Sequence, residues 1–316
     1  MIDINNFWQP FEVQINSFSD LVENIELVME KAVRRDIQFA WRGQIDAGWA
    51  LHSSLYRRVA LTRTQVVDEA NQQMEEAKIL AELHRWGLHA PSGSGRLSIL
   101  RQLAMLQHYG APTRLIDITF NAWIAAWFAV EPRWANAQEI HGGCDARLFA
   151  IDITNRLINE HPDRRAWEDD LSRPWKSERP DAVPSKEWTT SVFAWKPSNL
   201  DARISAQNGG FLFGGAPATQ LPTGGKFQFP KSRIAADGHW KIKEGREACC
   251  LALRPHVFDP VHGGVTDGAL YTFRIAAGAK AEIRSRLEKM FGYLHRTIYP
   301  DYTGFASFGT PWLKSV

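Results

Sequence analysis

The chain has 316 residues, 44% of them apolar and 23% charged, which is ordinary for a globular protein. Its net charge of +2 gives no strong attraction to nucleic acid. Three cysteines without a C-x-x-C pair argue against a disulfide framework and a structural zinc site, so we predict no metal. Without a signal peptide or an apolar run of ~20 residues, the sequence predicts a cytoplasmic protein with no membrane partner.

The first third of the chain is predicted to be mainly helical. An amphipathic helix over residues 21–34, capped by Ser17 or Ser19, precedes an aromatic strand over residues 37–41. A long helix with one charged side follows over residues 64–89. The Ser/Gly run at residues 92–95 then predicts a flexible joint.

The central stretch of the sequence is residues 100–131, around which we expect the rest of the chain to be arranged. A helix there ends at Gly110, and Pro112 prevents its resumption. A short extended piece over residues 113–118 leads to a second helix, capped by Thr119 or Asn121 and apolar nearly all round. Such a helix should be buried, so the polar groups of the turn before it must be paired or used.

Strands dominate the second half. They are predicted over residues 147–153, 190–195, 211–213, 248–253 and 269–275, with helices at 201–207, 280–291 and 294–298 and an irregular loop at 161–188. The segment 214–245, rich in Gly and Pro, is interpreted as a surface insertion or a mobile lid. The pattern favours one mixed α+β domain over residues 1–316, with helices mainly in the N-terminal half around a central, mostly antiparallel sheet.

Three polar groupings are candidates for chemistry. Arg42 lies at the end of a predicted strand, directly before Gly43. An arginine there suits a phosphate or carboxylate, since Gly43 lets a ligand approach the backbone. Alternatively, Arg42 pairs with a core carboxylate such as Asp117. His108 could act as a general base, or simply donate to a carbonyl at the helix end. The neighbouring candidates are Gln107 and Tyr109.

The second grouping is Thr113, Arg114 and Asp117. Period-two alternation places Arg114 and Asp117 on opposite faces, so each needs another partner, and a structural ion pair is the alternative to catalysis. The third is Arg203 and Gln207, four residues apart on one helix face, which suits a ribose, base edge or phosphate. Loop anchoring is the alternative there. Nucleotide-loop, zinc-protease and hydrolase motifs do not occur.

Four separated segments together resemble the FRG-domain family, named for an aromatic–Arg–Gly motif. They are FAWRGQ (39–44), LQHYGAPTRLIDIT (106–119), RISAQNGGF (203–211) and TIYPDYTGFA (297–306). The resemblance implies a bacterial or phage-related intracellular protein of a kind met near mobile elements and defence genes. It does not supply a reaction.

The aromatic–Arg–Gly opening is also similar to that of several ADP-ribosyltransferases, which need a glutamate as well. Glu187 and Glu247 are the candidates for it. The leading hypothesis is therefore a pocket for a phosphorylated ligand, NAD or another nucleotide, in an enzyme acting as a toxin or anti-phage defence effector.

In this hypothesis Arg42 and Arg114 bind phosphate, while Gln107 and Gln207 orient ribose or base. His108 or Tyr109 assists proton transfer, with Asp117 as a third catalytic candidate. NAD would be a substrate rather than a resident cofactor. The alternative is a non-enzymatic module that engages a protein or nucleic acid through the segment 214–245.

Overall fold

A computed structural model describes residues 2–62, 67–90, 95–135, 138–176, 182–198, 200–222, 224, 226–262 and 268–309. Of the predicted joint at 92–95, residues 92–94 lie outside these ranges. A mixed sheet of eight strands runs through the described residues, in the order β1-β12-β6-β2-β3-β8-β7, with β11 beside β12. The strands of this sheet are β1 Glu12–Ile15, β2 Phe39–Gln44, β3 Ile116–Thr119, β6 Ala146–Asp152, β7 Phe193–Trp195, β8 Gly209–Phe213, β11 Arg254–Pro255 and β12 Ala269–Ile275.

The pairing is mostly antiparallel, as predicted. Only β1 and β11 run parallel to their neighbour β12. Strands β2 and β3 share a single pair of opposed residues, Trp41 and Thr119, although each is fully paired on its other side. The two central strands therefore diverge just beyond Trp41. Two small hairpins lie outside this sheet, β4 Arg133–Ala135 with β5 Gln138–Ile140, and β9 Phe229–Pro230 with β10 His239–Trp240.

Helices cover both faces of the sheet, and the longest lie in the N-terminal half. They are α1 Ile4–Trp8, α2 Phe18–Arg35, α3 Ser54–Thr62, α4 Glu69–Arg85, α5 Ile99–His108, α6 Ala122–Val130, α7 Ser185–Trp188, α8 Ala202–Ala206, α9 Ile242–Ala248, α10 Lys280–Phe291, α11 His295–Ile298 and α12 Tyr302–Gly304. None of the helices in the described part of the chain combines the length and apolarity that a bilayer crossing needs.

Alternation along the strands divides the interior between the two faces of the sheet. Ala40 and Phe149 belong to one core, which α1, α3 and α9 cover, whereas Trp41 and Leu148 belong to a second, which α2, α6 and α10 cover. A third cluster, rich in tryptophan, lies under α4 and α5. The mixed α+β prediction is confirmed.

Local capping explains several element boundaries. The Ser17 hydroxyl accepts the backbone N–H of Asp20 at the start of α2, and Asn121 caps α6. Helix α4 begins only at Glu69, capped by Asp68, rather than at residue 64. The strand predicted over 248–253 is wrong, because Ala248 ends α9 and the buried residues after it form no ladder. The apolar residues of this segment are buried in the core without belonging to a strand.

Candidate functional site

A cleft of about 1240 Å³ opens where β2 and β3 diverge. The ends of α5, α6, α8 and α11 surround it, and together with β2 and β3 its walls come from five separated stretches of the sequence. Seven of the predicted site residues line it, namely Arg42, Gly43, Gln107, His108, Asp117, Arg203 and Gln207. The cleft is larger than the roughly 300–1,000 Å³ typical of small-molecule sites, and so has room for an extended ligand.

Arg42 lies half-buried at the divergence of the two strands. Its Nη1 donates to the backbone carbonyl of Asp117 at 2.6 Å, whereas its Nε is buried without a hydrogen-bond partner. No carboxylate of the described residues lies in ion-pair contact with this guanidinium, so the expected alternative of a pair with the Asp117 side chain is not found. Burial lowers the pKa of Arg42, and the nearby negative charge of Asp117 opposes that effect only in part. A bound anion would supply the missing neutralisation.

Asp117 and Gln107 form a polar edge beside Arg42. The exposed Asp117 carboxylate accepts a hydrogen bond from Gln107 Nε2 at 2.6 Å. Thr113 lies behind this edge, fully buried, and its hydroxyl donates to Gln107 Oε1. Thr113 therefore orients the Gln107 amide rather than meeting a ligand itself.

His108 lines the cleft at the end of α5. Its Nδ1 lies 3.5 Å from Asp201 Oδ2, an oxygen that is buried without a hydrogen-bond partner. The other Asp201 oxygen accepts the backbone N–H of Ile204 at 2.8 Å and caps α8. A carboxylate behind an imidazole is the arrangement that orients a general base. The neighbouring Tyr109 is 73% exposed and does not line the cleft.

Helix α8 contributes the opposite wall. The Arg203 guanidinium stacks over the Tyr299 ring at 4.4 Å, and no carboxylate of the described residues forms an ion pair with it. Gln207 Nε2 donates to the carbonyl of Ile298 at 3.0 Å, which anchors α8 to α11. Arg203 is thus a second cleft arginine that forms no ion pair with a described carboxylate. Gln207 serves partly in the loop-anchoring role that was the alternative.

Glu131 was not a candidate from the sequence, yet its carboxylate lies in the wall of the cleft. It follows α6 directly and is 2% exposed. Arg133 Nη2 pairs with Oε1, the Tyr299 hydroxyl donates to Oε2 at 2.9 Å, and His295 Nε2 lies 3.9 Å from Oε2. Burial raises the pKa of Glu131 despite the opposing effects of Arg133 and Tyr299. Burial likewise raises the pKa of Tyr299 and keeps its hydroxyl protonated.

The expectation that Arg114 binds phosphate is wrong. Its side chain is 1% exposed and lies outside the cleft. Nε donates to Glu76 Oε1 at 2.5 Å and Nη1 donates to Glu69 Oε1 at 3.3 Å. The guanidinium also lies beside the stacked indoles of Trp175 and Trp188, 5.1 and 5.2 Å from their ring centres. Arg114 therefore forms the structural ion pair that was the alternative to catalysis, with Glu76 and Glu69 as its partners.

Gly43 lines the cleft for a different reason from the one expected. A Cβ at this position would lie 2.0 Å from the carbonyl oxygen of Ala125 and 2.6 Å from the backbone nitrogen of Ala129. The missing side chain therefore lets α6 pack directly on β2. This close approach of helix to strand is what places Glu131, at the end of α6, beside the cleft.

Two further expectations concern residues remote from the cleft. Glu187 pairs with Arg164, and Glu247 accepts the backbone N–H of Ile2 at 2.7 Å, so neither supplies a cleft carboxylate. The described residues of segment 214–245 do not line the cleft, and Phe227 and Phe229 of that segment are buried in the first core. The described part of the segment therefore contributes no wall to this cleft.

Comparison with known protein families finds a match in the region that supplies much of this cleft. Residues 37–138 match the model of the FRG domain. This part of the chain is therefore similar to the FRG domain. No curated protein matches it, and no solved structure does either. The matched region contains β2, β3, α5 and α6, which together supply Arg42, Gln107, Asp117 and Glu131.

The rest of the cleft comes from outside the matched region. Arg203 and Gln207 belong to the third segment quoted above, and Tyr299 to the fourth, and all three line the cleft beside the FRG-domain residues. These later segments are thus the opposite wall of the same site.

Proposed function

We propose that the cleft binds a phosphorylated, nucleotide-like ligand, with NAD as the first candidate. We further propose that the protein is a transferase or hydrolase acting on that ligand. The observation that carries the proposal is the pair of cleft arginines, Arg42 and Arg203, neither of which forms an ion pair with a carboxylate of the described residues. Other buried arginines of this chain, such as Arg114 and Arg147, are paired with glutamates. Arginine forks of this kind suit the oxygens of a phosphate.

The remaining cleft groups suit the other parts of a nucleotide. The Gln107 amide and the Asp117 carboxylate offer donors and acceptors for ribose hydroxyls or a base edge. Tyr299 and Phe308 offer aromatic surface in the same cleft. The volume accommodates a dinucleotide, and a ligand of that length could contact both arginines.

Glu131 supplies the carboxylate that glycosyl transfer from NAD would require. In that reaction the bond between ribose C1′ and nicotinamide breaks, and its electron pair leaves with nicotinamide. A buried carboxylate stabilises the cationic sugar until water or an acceptor hydroxyl adds and gives up its proton. His108, held beside Asp201, is the candidate to accept that proton. The role of the protein as toxin or defence effector stays a prediction.

The test is a thermal-shift screen with NAD, ADP-ribose and nucleotides on three proteins. A specific ligand at 100 times its Kd should stabilise the wild type by about 2.7 kcal/mol. The same ligand should not stabilise Arg42→Ala, whose unfolding free energy should stay within ~1 kcal/mol of the wild type. Arg58→Ala is the matched control, because it removes one positive charge from an exposed position outside the cleft. It should respond like the wild type.

Incubation with NAD then tests for a reaction through release of free nicotinamide. A wild-type chain that none of these ligands stabilises, and that instead retains a protein or a nucleic acid in a pull-down, would overturn the proposal in favour of the binding module. Failure of Arg42→Ala to fold would also contradict it, by showing that this arginine is structural.

A further inference from the structure

Three side chains at the rim of the cleft form a cluster that the proposed function does not use. The ligand atoms of Asp46, His141 and Cys144 all lie within 4.8 Å of one another. His141 Nδ1 is 3.2 Å from Asp46 Oδ2. Asp46 follows β2, whereas His141 and Cys144 begin and end the turn between β5 and β6, and Cys144 N–H donates to the His141 carbonyl at 3.2 Å. Three different donor types thus meet from two segments about 95 residues apart.

A single buried ammonium holds the backbone of this cluster in place. Lys280, on α10 and 2% exposed, donates from Nζ to the carbonyl oxygens of Ile45, His141 and Cys144 at 2.9, 2.7 and 3.2 Å. Two of these carbonyls belong to the cluster residues themselves, and Ile45 directly precedes the third. The Lys280 side chain therefore holds the backbone at or next to all three cluster residues.

The side chains are oriented as well. Asp46 Oδ1 accepts the backbone N–H of Gly48 at 2.8 Å, which leaves Oδ2 to face His141. The Trp49 ring lies edge-on to the imidazole, with the ring centres 5.1 Å apart. His141 itself has a left-handed backbone conformation, with φ of 61°. Such a conformation is unusual for a non-glycine residue, and strain of this kind concentrates at functional positions.

We propose that Asp46, His141 and Cys144 bind a zinc-class divalent cation. A thiolate, an imidazole and a carboxylate are the donors that zinc accepts together, whereas magnesium and calcium prefer oxygen alone. Donors on one tetrahedral zinc ion lie roughly 3.3–3.7 Å apart. His141 Nδ1 and Asp46 Oδ2, at 3.2 Å, are already close to that spacing, and the other donors, all within 4.8 Å, need to move by about 1 Å. The charges of the carboxylate and the thiolate would balance that of the ion.

Three protein ligands leave the fourth position of a tetrahedral ion for water or a ligand. His141 also lines the cleft, so this position lies at the cleft rim. This site was not predicted, because its three candidate ligands share no compact metal-binding motif in the sequence. The proposal does not depend on nucleotide binding in the cleft.

The experiment titrates the full, chelator-treated chain with Co²⁺, which reports a thiolate ligand through its charge-transfer absorption, and then displaces it with Zn²⁺. We expect one ion per chain in the wild type and no effect of Mg²⁺. Cys144→Ser should abolish the charge-transfer band. It should weaken binding by more than the roughly 10- to 100-fold that loss of an outer-shell partner costs. Since Cys144 is exposed, the variant should keep the wild-type circular dichroism spectrum.

His262→Ala is the matched control. His262 lies 3.4 Å from Asp259 in an exposed pair without a nearby thiol partner among the described residues, so its loss should leave the Co²⁺ titration unchanged. Alkylation gives a second readout, because Cys249 and Cys250 are buried and iodoacetamide will report Cys144. Zn²⁺ should slow that alkylation. A Co²⁺ spectrum that Cys144→Ser retains, absence of stoichiometric binding, or alkylation that Zn²⁺ does not slow would each overturn the proposal.

Discussion

The buried contact between Arg114 and Glu76 provides the sharpest test of how this fold is stabilised. Replacement of Arg114 by Met removes the charge but keeps most of the side-chain length beside the stacked indoles of Trp175 and Trp188. Glu76 is 1% exposed, so its carboxylate would lose its main neutralising partner inside the protein. It would keep the hydrogen bonds from Arg173 at 3.1 Å and from the Trp175 indole at 2.9 Å.

Removal of one partner from a buried ion pair costs about 3–5 kcal/mol, because the other charge stays buried. The two contacts that Glu76 retains place Arg114→Met near the lower end, at about 3 kcal/mol. That is a large share of the 5–15 kcal/mol by which folded proteins are typically stable. The double variant Arg114→Met/Glu76→Gln should be more stable than Arg114→Met alone, since the uncompensated carboxylate is then gone.

Urea denaturation followed by tryptophan fluorescence measures the loss. Lys78→Ala is the control on the same helix, because Lys78 is 62% exposed and its contact with Glu75 is a surface pair. Surface pairs contribute roughly 0–1 kcal/mol. If Arg114→Met loses no more stability than Lys78→Ala, the buried network does not stabilise the fold as argued.

The pH dependence of stability provides a second test of the contact between Arg114 and Glu76. Burial, the largest single effect, would raise the pKa of Glu76, but Arg114, Arg173 and the Trp175 indole together outweigh it and the pKa is lowered. The stabilisation is therefore complete above the ordinary pKa of glutamate and is lost as the pH falls through the lowered one. Arg114→Met should lose this acid sensitivity, so its deficit relative to the wild type should shrink on acidification. A deficit independent of pH would contradict this assignment.

Two further substitutions separate packing from chemistry in the cleft. Gly43→Ala should destabilise the protein by about 1–3 kcal/mol or more, since the new methyl group would meet the backbone of α6; an unchanged denaturation midpoint would refute that close packing. Glu131→Gln should keep or raise the unfolding free energy at neutral pH, because the raised pKa means that ionisation of Glu131 costs stability as the pH rises through it. The same variant should release no nicotinamide from NAD, and wild-type turnover would remove Glu131 from the reaction.

Periodicity and capping made the regular elements predictable from the sequence. The apolar stripe of α2 and the apolar helix α6 follow directly from residue spacing, as does the turn at Gly110, which has φ of 83°. Residue spacing could not distinguish a strand from an irregular segment whose apolar residues are buried in the core. The buried residues after α9 are of that kind.

The site was predicted where polar residues interrupt buried elements, as at Arg42 and Asp117. The buried pairing of Arg114 was not predictable, because its partner, Glu76, belongs to a helix whose many charges resembled a solvated face. Glu131 was missed because a glutamate after an apolar helix looks like an ordinary helix end. Its importance follows from the tertiary contact with Tyr299, 168 residues further on. Long-range pairing of this kind leaves no local signal in one sequence.

The single pair of opposed residues between β2 and β3 has a consequence for recombinant expression of the region that matches the FRG domain. Within residues 37–138 these strands share one opposed pair, whereas the ladders that hold them, with β6 and β8, lie beyond residue 138. A fragment trimmed to the matched region would expose unsatisfied strand edges, which are templates for aggregation. The family signature therefore marks the middle of a sheet rather than a separable module, and expression trials should retain the later strands.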